Sequence, residues 1–363
     1  MIEVKIPGKL FVAGEYAVTH PGYTAILIAV DRFITLTLEG PSERGSISNY
    51  SNFPVSWVRD NGKIILEKED SSLNYILSAM DVVERYAKEL NKSLSCYHIK
   101  VDNGLRNEKG VKYGLGSSAA VTVAAVNALL EYYQIEFTEE ILFKLSSLAN
   151  ISVNIRGSCG DIAACVYGGW IAYTAFDREW VLEKIKRLTV KELLEVEWPY
   201  LKIERLIPPE ELVLAIGWTG APSSTVNLVH KVRNKSLDNG YTYGKFLRES
   251  KVCVEKMVDA FRNGNVEGIK RQVGKNRELL VKLGNDLGVE IETPRLKKLC
   301  DIAFKYSGSA KPSGAGGGDC GIAIFNGLYD LDLLIEDWEK WGIIYLPLKV
   351  YFKKGDSVDK QKG

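Results

Sequence analysis

The chain has 363 residues, of which 46% are hydrophobic and 26% charged, a composition typical of globular proteins and unlike disordered or fibrous chains. Its 47 basic and 46 acidic residues leave a formal net charge of +1, so no global field attracts nucleic acid or an anionic membrane surface, and neither is expected as a partner. The chain is longer than a domain with a single hydrophobic core usually is, which predicts two domains.

Membrane insertion and export are not expected either. The longest uncharged apolar run, residues 119–130, is too short to span a bilayer, and residues 1–9 carry charges where an export signal needs an apolar run. Six cysteines without a Cys-x-x-Cys pair, and three histidines without metal-ligand spacing, fit reduced thiols. We therefore expect a cytoplasmic protein whose partner is a small molecule.

The first half of the chain is predicted to be a sheet followed by helices. Short β-type runs separated by Pro and Gly turns occupy residues 2–67, and an amphipathic helical pattern over 73–90 follows Ser71 and Ser72, which can cap its first turn. Residues 94–101 alternate as a strand. The segment 117–133 is apolar nearly all round, which predicts a buried helix.

The second half is predicted to be α+β as well, with its last helix opened by Thr293 as N-cap and Pro294 in the first turn. We place the domain boundary after residue 178, which gives domains 1–178 and 179–363. The elements predicted here are strands at 168–174, 201–206, 212–218, 320–325 and 345–351, a helical pattern at 177–200, and three helical stretches beyond residue 244.

The segment 112–120 is the most informative one for chemistry, because a glycine turn runs straight into the buried helix. Its backbone N–H groups and the helix N-terminus favour an anion such as a polyphosphate, and a serine hydroxyl beside them can reach Mg²⁺. The simpler alternative is a glycine-serine cap on a core helix. The residues predicted to bind the cofactor are Lys112, Gly114, Leu115, Gly116, Ser117, Ser118 and Ala119, with Ser118 as the metal ligand.

Two nucleotide-binding alternatives fit this segment poorly. Gly114, Gly116 and Ala119 satisfy the relaxed dinucleotide-binding pattern, but that fingerprint needs an apolar strand before the first glycine, and residues 107–112 are a charged loop. The P-loop pattern, Gly-x-x-x-x-Gly-Lys-Ser/Thr, occurs nowhere in the sequence.

Three further segments carry polar residues among glycines. In the segment 7–16, Lys9 can reach a phosphate, although this segment taken by itself is more typical of a solvated surface lysine. In 157–163, Asp161 follows glycine-rich backbone, where an N-cap is the simpler interpretation. The segment 313–321 has four glycines in five positions, which suits backbone folded tightly against a ligand or a flexible hairpin turn.

Together these segments resemble the GHMP kinases. Pro-Gly-Lys-Leu…Gly-Glu at 7–15 is similar to motif one of that superfamily, Gly-Leu-Gly-Ser-Ser-Ala at 114–119 to motif two, and Gly-Ala-Gly-Gly-Gly at 314–318 to motif three. Lys112-Tyr113, Gly-Glu-Tyr at 14–16 and Gly-Gly-Gly-Asp-Cys-Gly ending at Gly321 resemble the bacterial phosphomevalonate kinases within it.

The resemblance implies an α+β, two-domain GHMP kinase fold, with an N-terminal domain like ribosomal protein S5 domain 2 and a C-terminal ferredoxin-like α/β plait. It implies a kinase that uses ATP and Mg²⁺ to phosphorylate phosphomevalonate, as a monomer or homodimer, with Asp161 and Lys9 as catalytic residues. Mevalonate kinase, diphosphomevalonate decarboxylase and a non-catalytic sensor of the same fold remain alternatives.

The substrate site is predicted from the same motifs, and the serine pair 223–224 after a strand and Arg156 are further candidates for binding the substrate phosphate or carboxylate. For the serine pair and for Arg156, the alternative is a helix-cap or surface role. The residues predicted to bind substrate are Lys9, Tyr16, Ser158, Ser223, Ser224, Gly314, Ala315, Gly316 and Gly317.

Overall fold

The computed structural model describes residues 1–49, 53–60, 63–223, 225–327 and 330–353, and for residues 225, 226 and 238 only the backbone. Strands in these ranges are β1 Ile2–Ala13, β2 Thr24–Ser42, β3 Gly45–Asn49, β4 Val55–Asp60, β5 Lys63–Leu66, β6 Cys96–Asn103, β7 Trp170–Thr174, β8 Lys202–Leu206, β9 Leu212–Trp218, β10 Ser309–Pro312, β11 Cys320–Asn326 and β12 Ile344–Leu346. Helices are α1 Asn74–Glu89, α2 Ser117–Tyr132, α3 Glu139–Val153, α4 Gly160–Tyr167, α5 Arg178–Lys184, α6 Val190–Glu195, α7 Thr225–Asp238, α8 Gly240–Arg262, α9 Val266–Leu287, α10 Pro294–Lys305 and α11 Leu331–Glu339. Short 3₁₀ turns at Ala17–Thr19 and Ser71–Leu73 complete the elements.

The first sheet has eight strands and is organised around the long strand β2. Its order is β5-β4-β3-β6-β2-β7-β8, and β1 pairs with β2 off this path. Residues 34–38 of β2 pair with both β1 and β6, and residues 26–28 with both β1 and β7. Strand β1 therefore occupies one edge of β2, while β6 and β7 share the other.

Helices α1 to α4 form the apolar layer of the first domain. Helix α2 is buried over most of its length because it lacks a polar face, as the sequence predicts. Helix α1 buries one stripe, but neither Ser71 nor Ser72 caps it as predicted, because its N-cap is Leu73, which makes no side-chain capping hydrogen bond. Asp70 instead caps the preceding 3₁₀ turn by accepting a hydrogen bond from the Ser72 N–H.

The second sheet has four antiparallel strands in the order β10-β11-β9-β12 and packs against α9, α10 and α11. Thr293 caps α10 and Pro294 occupies its first turn, as predicted. The predicted α+β class is confirmed, and the strands form two separate sheets. The boundary after residue 178 stays a prediction; strand β8 at Lys202–Leu206 belongs to the first sheet.

The strand predicted at 345–351 is divided between the two sheets. Residues 344–346 form β12, and the chain then returns to the first sheet, where the Tyr351 N–H donates to the Ala29 carbonyl oxygen at 3.0 Å. The Gly169 N–H donates to the Tyr351 carbonyl oxygen at 2.7 Å. This segment therefore lies between β6 and β7 along β2.

Candidate active site

A cavity of about 370 Å³ lies where the two domains meet. Its wall comes from β1, the start of α2, the start of α4 and the glycine loop between β10 and β11. The predicted site residues that line it are Lys9, Tyr16, Lys112, Gly114, Leu115, Gly116, Ser117, Ser118, Ser158, Asp161, Ser223, Gly314 and Ala315. Segments up to about 300 positions apart in sequence thus share one cavity.

Lys9 lies directly over the glycine turn that begins α2. Its backbone N–H donates to the Leu115 carbonyl oxygen at 2.9 Å, and its Nζ donates to the Gly114 carbonyl oxygen at 3.3 Å. Gly116 is left-handed, with φ of 82°, and a Cβ added there would lie 2.7 Å from Cε of Lys9. The glycine is therefore needed both for the turn and for the passage of the lysine side chain.

The motif-one turn and the motif-three loop are joined across the domains by side-chain hydrogen bonds. The Tyr16 hydroxyl donates to the Ala315 carbonyl oxygen at 2.6 Å. The Ser313 hydroxyl accepts from the Phe11 N–H and donates to the Phe11 carbonyl oxygen, both at 2.9 Å. Burial, and then the charge of Glu15, raise the pKa of Tyr16, so this hydroxyl keeps its proton and remains a donor.

Asp161 lies in the first turn of α4, where the helix N-terminus favours a carboxylate. Its Oδ1 accepts a hydrogen bond from the Ile162 N–H at 3.1 Å. Burial raises the pKa of Tyr75, the charge of Asp161 raises it further, and a hydrogen bond with the Ser118 side chain opposes both. Tyr75 of α1, Asp161 and Ser118 therefore share one wall of the cavity.

Asp319 is another carboxylate in the cavity wall and packs against Gly114 of the glycine turn. Its Oδ1 accepts from the Ser223 N–H at 3.1 Å, and a Cβ at Gly114 would lie 2.6 Å from its Cβ. Burial raises the pKa of Asp319, whereas the Ser223 hydrogen bond and the charges of Lys9 and Lys112 lower it. The carboxylate thus lies close to both lysines and fixes the segment after β9.

Three cationic side chains of the first domain reach this cavity, as a site for two anions requires. Lys9, Lys112 and Arg156 come from the first domain, and Arg156 Nη1 lies 2.8 Å from Nδ1 of His230 on α7 of the second. Positive charge and backbone N–H groups at a helix N-terminus are suited to binding phosphates.

Some predicted residues lie elsewhere. Ala119 is buried inside α2, and Gly316 and Gly317 pack against Ile291 and Leu228 rather than lining the cavity. Ser224 lies outside the described residues. Tyr75 and His230 line the cavity without having been predicted: Tyr75 lies within an amphipathic helical pattern that carries no sign of a ligand, and helix α7, which carries His230, was not predicted at all.

Family models match both halves of the chain. The model for the GHMP kinases N terminal domain matches residues 74–169, and that for the GHMP kinases C terminal matches residues 257–344. A phosphomevalonate kinase of Streptomyces sp. (strain CL190) is 38% identical over 94% of this chain and 95% of its own. The chain belongs to the GHMP kinase family.

Solved structures place this GHMP kinase beside proteins of the same fold. The crystal structure of Lin0012 from Listeria innocua has a TM-score of 0.90 and 40% identity, covering 97% of this chain and 99% of its own. Streptococcus pneumoniae phosphomevalonate kinase, in complex with phosphomevalonate and AMPPNP, has a TM-score of 0.84 and 28% identity, covering 97% and 100%. The two-domain GHMP kinase fold expected from the motifs is confirmed. None of the helices in the described ranges is long and apolar enough to cross a membrane.

Proposed function

We propose that this GHMP kinase transfers the γ-phosphoryl group of ATP to the phosphate of (R)-5-phosphomevalonate, which gives ADP and (R)-5-diphosphomevalonate. The observation that carries the proposal is 38% identity to a phosphomevalonate kinase along nearly the whole chain. The cavity supports it, since Lys9, Lys112 and Arg156 lie in its wall beside the glycine turn at the start of α2. We further propose that the enzyme acts in the cytoplasm, as a monomer or homodimer.

Within that reaction, the proposed role of Lys9 is to neutralise charge on the transferring phosphoryl group. Phosphoryl transfer passes through a loose transition state, so catalysis depends mainly on positioning and on electrostatic stabilisation. The proposed substrate-binding residues are those predicted from the sequence, with Tyr16, Ser158, Ser223, Gly314 and Ala315 at the cavity wall as support.

Asp161 is proposed to orient Lys9 and the acceptor rather than to act as a strong base. The second pKa of a phosphate monoester is about 6, so the attacking oxygen is already mostly ionised at neutral pH. A limb of the pH–rate profile that disappears in a folded Asp161→Asn variant would instead assign Asp161 as the general base.

Mg²⁺ is the proposed metal, with the Ser118 hydroxyl as its protein ligand. Hard oxygen donors suit this ion, and Ser118 and Asp161 both line the cavity. When bound, Mg²⁺ would neutralise negative charge on the ATP phosphates.

A coupled ADP-release assay with ATP and Mg²⁺ tests the function directly. Phosphomevalonate, mevalonate, diphosphomevalonate, homoserine and galactose are compared as acceptors, because mevalonate kinases are also relatives, at 26% identity for the one from Methanocaldococcus jannaschii. We expect turnover with phosphomevalonate alone. Turnover with mevalonate or diphosphomevalonate instead would refute the acceptor, and ATP binding without any turnover would indicate a sensor.

A further inference from the structure

Glu15 and Lys311 form an ion pair that joins the two domains at the cavity wall. Glu15 belongs to the motif-one turn, and Lys311 belongs to β10, immediately before the motif-three loop. Lys311 is 0% exposed and Glu15 is 2% exposed. Burial of this kind is rare for lysine and glutamate unless they are paired, so the pairing requires a reason.

Each group has further hydrogen bonds to the loop that follows Lys311. Lys311 Nζ donates to Glu15 Oε1 and to the Pro312 carbonyl oxygen, the latter at 2.6 Å. The Gly314 N–H also donates to Glu15 Oε1, at 3.3 Å. The second carboxylate oxygen, Oε2, is buried without a hydrogen-bond partner. Lys311 is therefore the cationic partner that the structure gives to this carboxylate.

Glu15 itself lines the cavity that takes the substrates. Both proposed substrates carry several negative charges, so an uncompensated carboxylate in this wall would repel them through a medium of low dielectric constant. The buried ammonium group of Lys311 is placed to cancel that repulsion. It also draws the motif-one turn onto the motif-three loop, where Tyr16 and Ser313 make their cross-domain hydrogen bonds.

We propose that Lys311 is a positioning residue for the phosphoryl-transfer site. Its buried charge neutralises Glu15 and fixes that carboxylate between the two domains, so that the cavity can accept two anions. Lys311 contacts neither substrate in this proposal. The inference rests on the proposed function for the identity of the acceptor, although its effect on the nucleotide does not depend on the acceptor.

The test is a charge series at the two positions, comparing wild type, Glu15→Gln, Lys311→Met and the double variant Glu15→Gln/Lys311→Met. Unit charges about 10 Å apart, in an effective dielectric constant near 20, change affinity roughly tenfold. We expect Lys311→Met to bind AMPPNP and the acceptor about tenfold more weakly than wild type. The double variant should recover most of that affinity, and Glu15→Gln should bind no more weakly than wild type.

Equilibrium binding of AMPPNP, KM and kcat for the acceptor, and thermal unfolding are measured for every variant. A purely structural role for Lys311 predicts losses in both single variants and no recovery in the double variant, and that result would overturn the proposal. Unchanged binding in a folded Lys311→Met would overturn it as well. Should Lys311→Met fail to fold, affinity in Glu15→Gln still decides, since a loss there contradicts charge compensation.

Failure of this inference is distinct from failure of the proposed function. Wild-type turnover of phosphomevalonate tests the function, whereas the order of AMPPNP affinities across the four proteins tests the role of Lys311 with no acceptor present. An enzyme that uses another acceptor could still show the expected order.

Discussion

Gly116 lies under the side chain of Lys9, and its replacement should affect activity more than stability. In Gly116→Ala, the new Cβ would meet Lys9 Cε at 2.7 Å, so the lysine must leave its place over the turn proposed to bind phosphate. We expect kcat to fall by about 10²-fold or more, as when a donor to a transition-state anion is lost. The measurement is kcat in the ADP-release assay.

Gly110→Ala is the matched control for this variant. Gly110 also has a positive φ, 75°, but a Cβ there would meet nothing within 4 Å. Both variants should therefore lose about 1 kcal/mol of stability through backbone strain, and only Gly116→Ala should lose activity. Equal kcat values in the two variants would contradict the proposed placement of Lys9.

Local sequence patterns singled out many of the residues that line the cavity, whereas their long-range partners could not be predicted. A turn such as 114–116 needs its glycines for reasons of local backbone geometry, so the sequence displays them. Glu15 and Lys311 are 296 positions apart, and a lysine within a strand resembles an exposed residue in any local pattern. Asp319 was noted as a family mark, but its hydrogen bond to Ser223 depends on tertiary packing.

At the scale of elements, Glu84 connects α1 to the first sheet. It accepts hydrogen bonds from Arg59 of β4 at 2.7 Å and from the Tyr97 hydroxyl of β6 at 2.6 Å. Because Glu84→Ala would leave the guanidinium group of Arg59 without its partner in a mostly buried position, we expect a loss of about 3–5 kcal/mol of stability. Urea unfolding measures this loss.

Glu67→Ala provides the comparison, since Glu67 pairs with Arg44 where both side chains are about 60% exposed. Exposed pairs of this kind contribute roughly 0–1 kcal/mol. Similar unfolding midpoints for Glu84→Ala and Glu67→Ala would refute the structural importance assigned to the buried pair. Activity of the folded fraction should persist in both variants, because neither residue lines the cavity.

His20 connects the motif-one turn to α8 and should make stability depend on pH. Its Nε2 lies 3.1 Å from the Tyr243 hydroxyl, and burial, followed by the charges of Arg178 and Arg233, lowers its pKa from the ordinary value of 6.5. Below pH 6.5, His20 is protonated in the unfolded chain, whereas in the folded chain it stays neutral down to its lowered pKa. Stability is therefore lost as the pH falls from 6.5 through the folded-state pKa.

In His20→Gln this contribution is absent, so the loss of stability between pH 7 and pH 5 should be smaller than in wild type. Urea midpoints at several pH values measure the difference, and carboxylates common to both proteins cancel in the comparison. An identical pH dependence in the two proteins would contradict the assignment.

Elements with a strong local pattern were predicted well. Helix α2 is apolar all round, and α10 begins with a Thr-Pro cap, so both are evident in the sequence. Helices α7 and α11 were not predicted, and the strand proposed at 345–351 is shared by two sheets. Those outcomes depend on tertiary packing, which local propensity does not report.

At the scale of the whole molecule, residues 348–353 connect the second domain to the first sheet through backbone hydrogen bonds. The Asp31 N–H donates to Lys349 and the Tyr351 N–H donates to Ala29, each at 3.0 Å, and Gly169 donates to Tyr351. A chain shortened after Leu348 loses these three backbone hydrogen bonds. At about 1 kcal/mol each, we expect a loss of about 3 kcal/mol in the stability of the first domain.

Differential scanning calorimetry measures this loss, and a chain shortened after Lys353, which keeps all three hydrogen bonds, is the control. Separate unfolding transitions for the two domains are expected only in the shorter chain. A shorter chain that unfolds at the same temperature as the control would show that the segment does not stabilise the first domain.

The position of this segment also sets an order of events during biosynthesis. The ribosome makes β1 to β8 first, then the whole second domain, and residues 349–351 only afterwards. Until then the Ala29 carbonyl oxygen and the Asp31 N–H of the nascent first domain lack their partners, at the gap between β6 and β7 along β2. Unpaired strand groups in an incomplete sheet can mispair with another chain, so misassembly is most to be expected during this interval of translation.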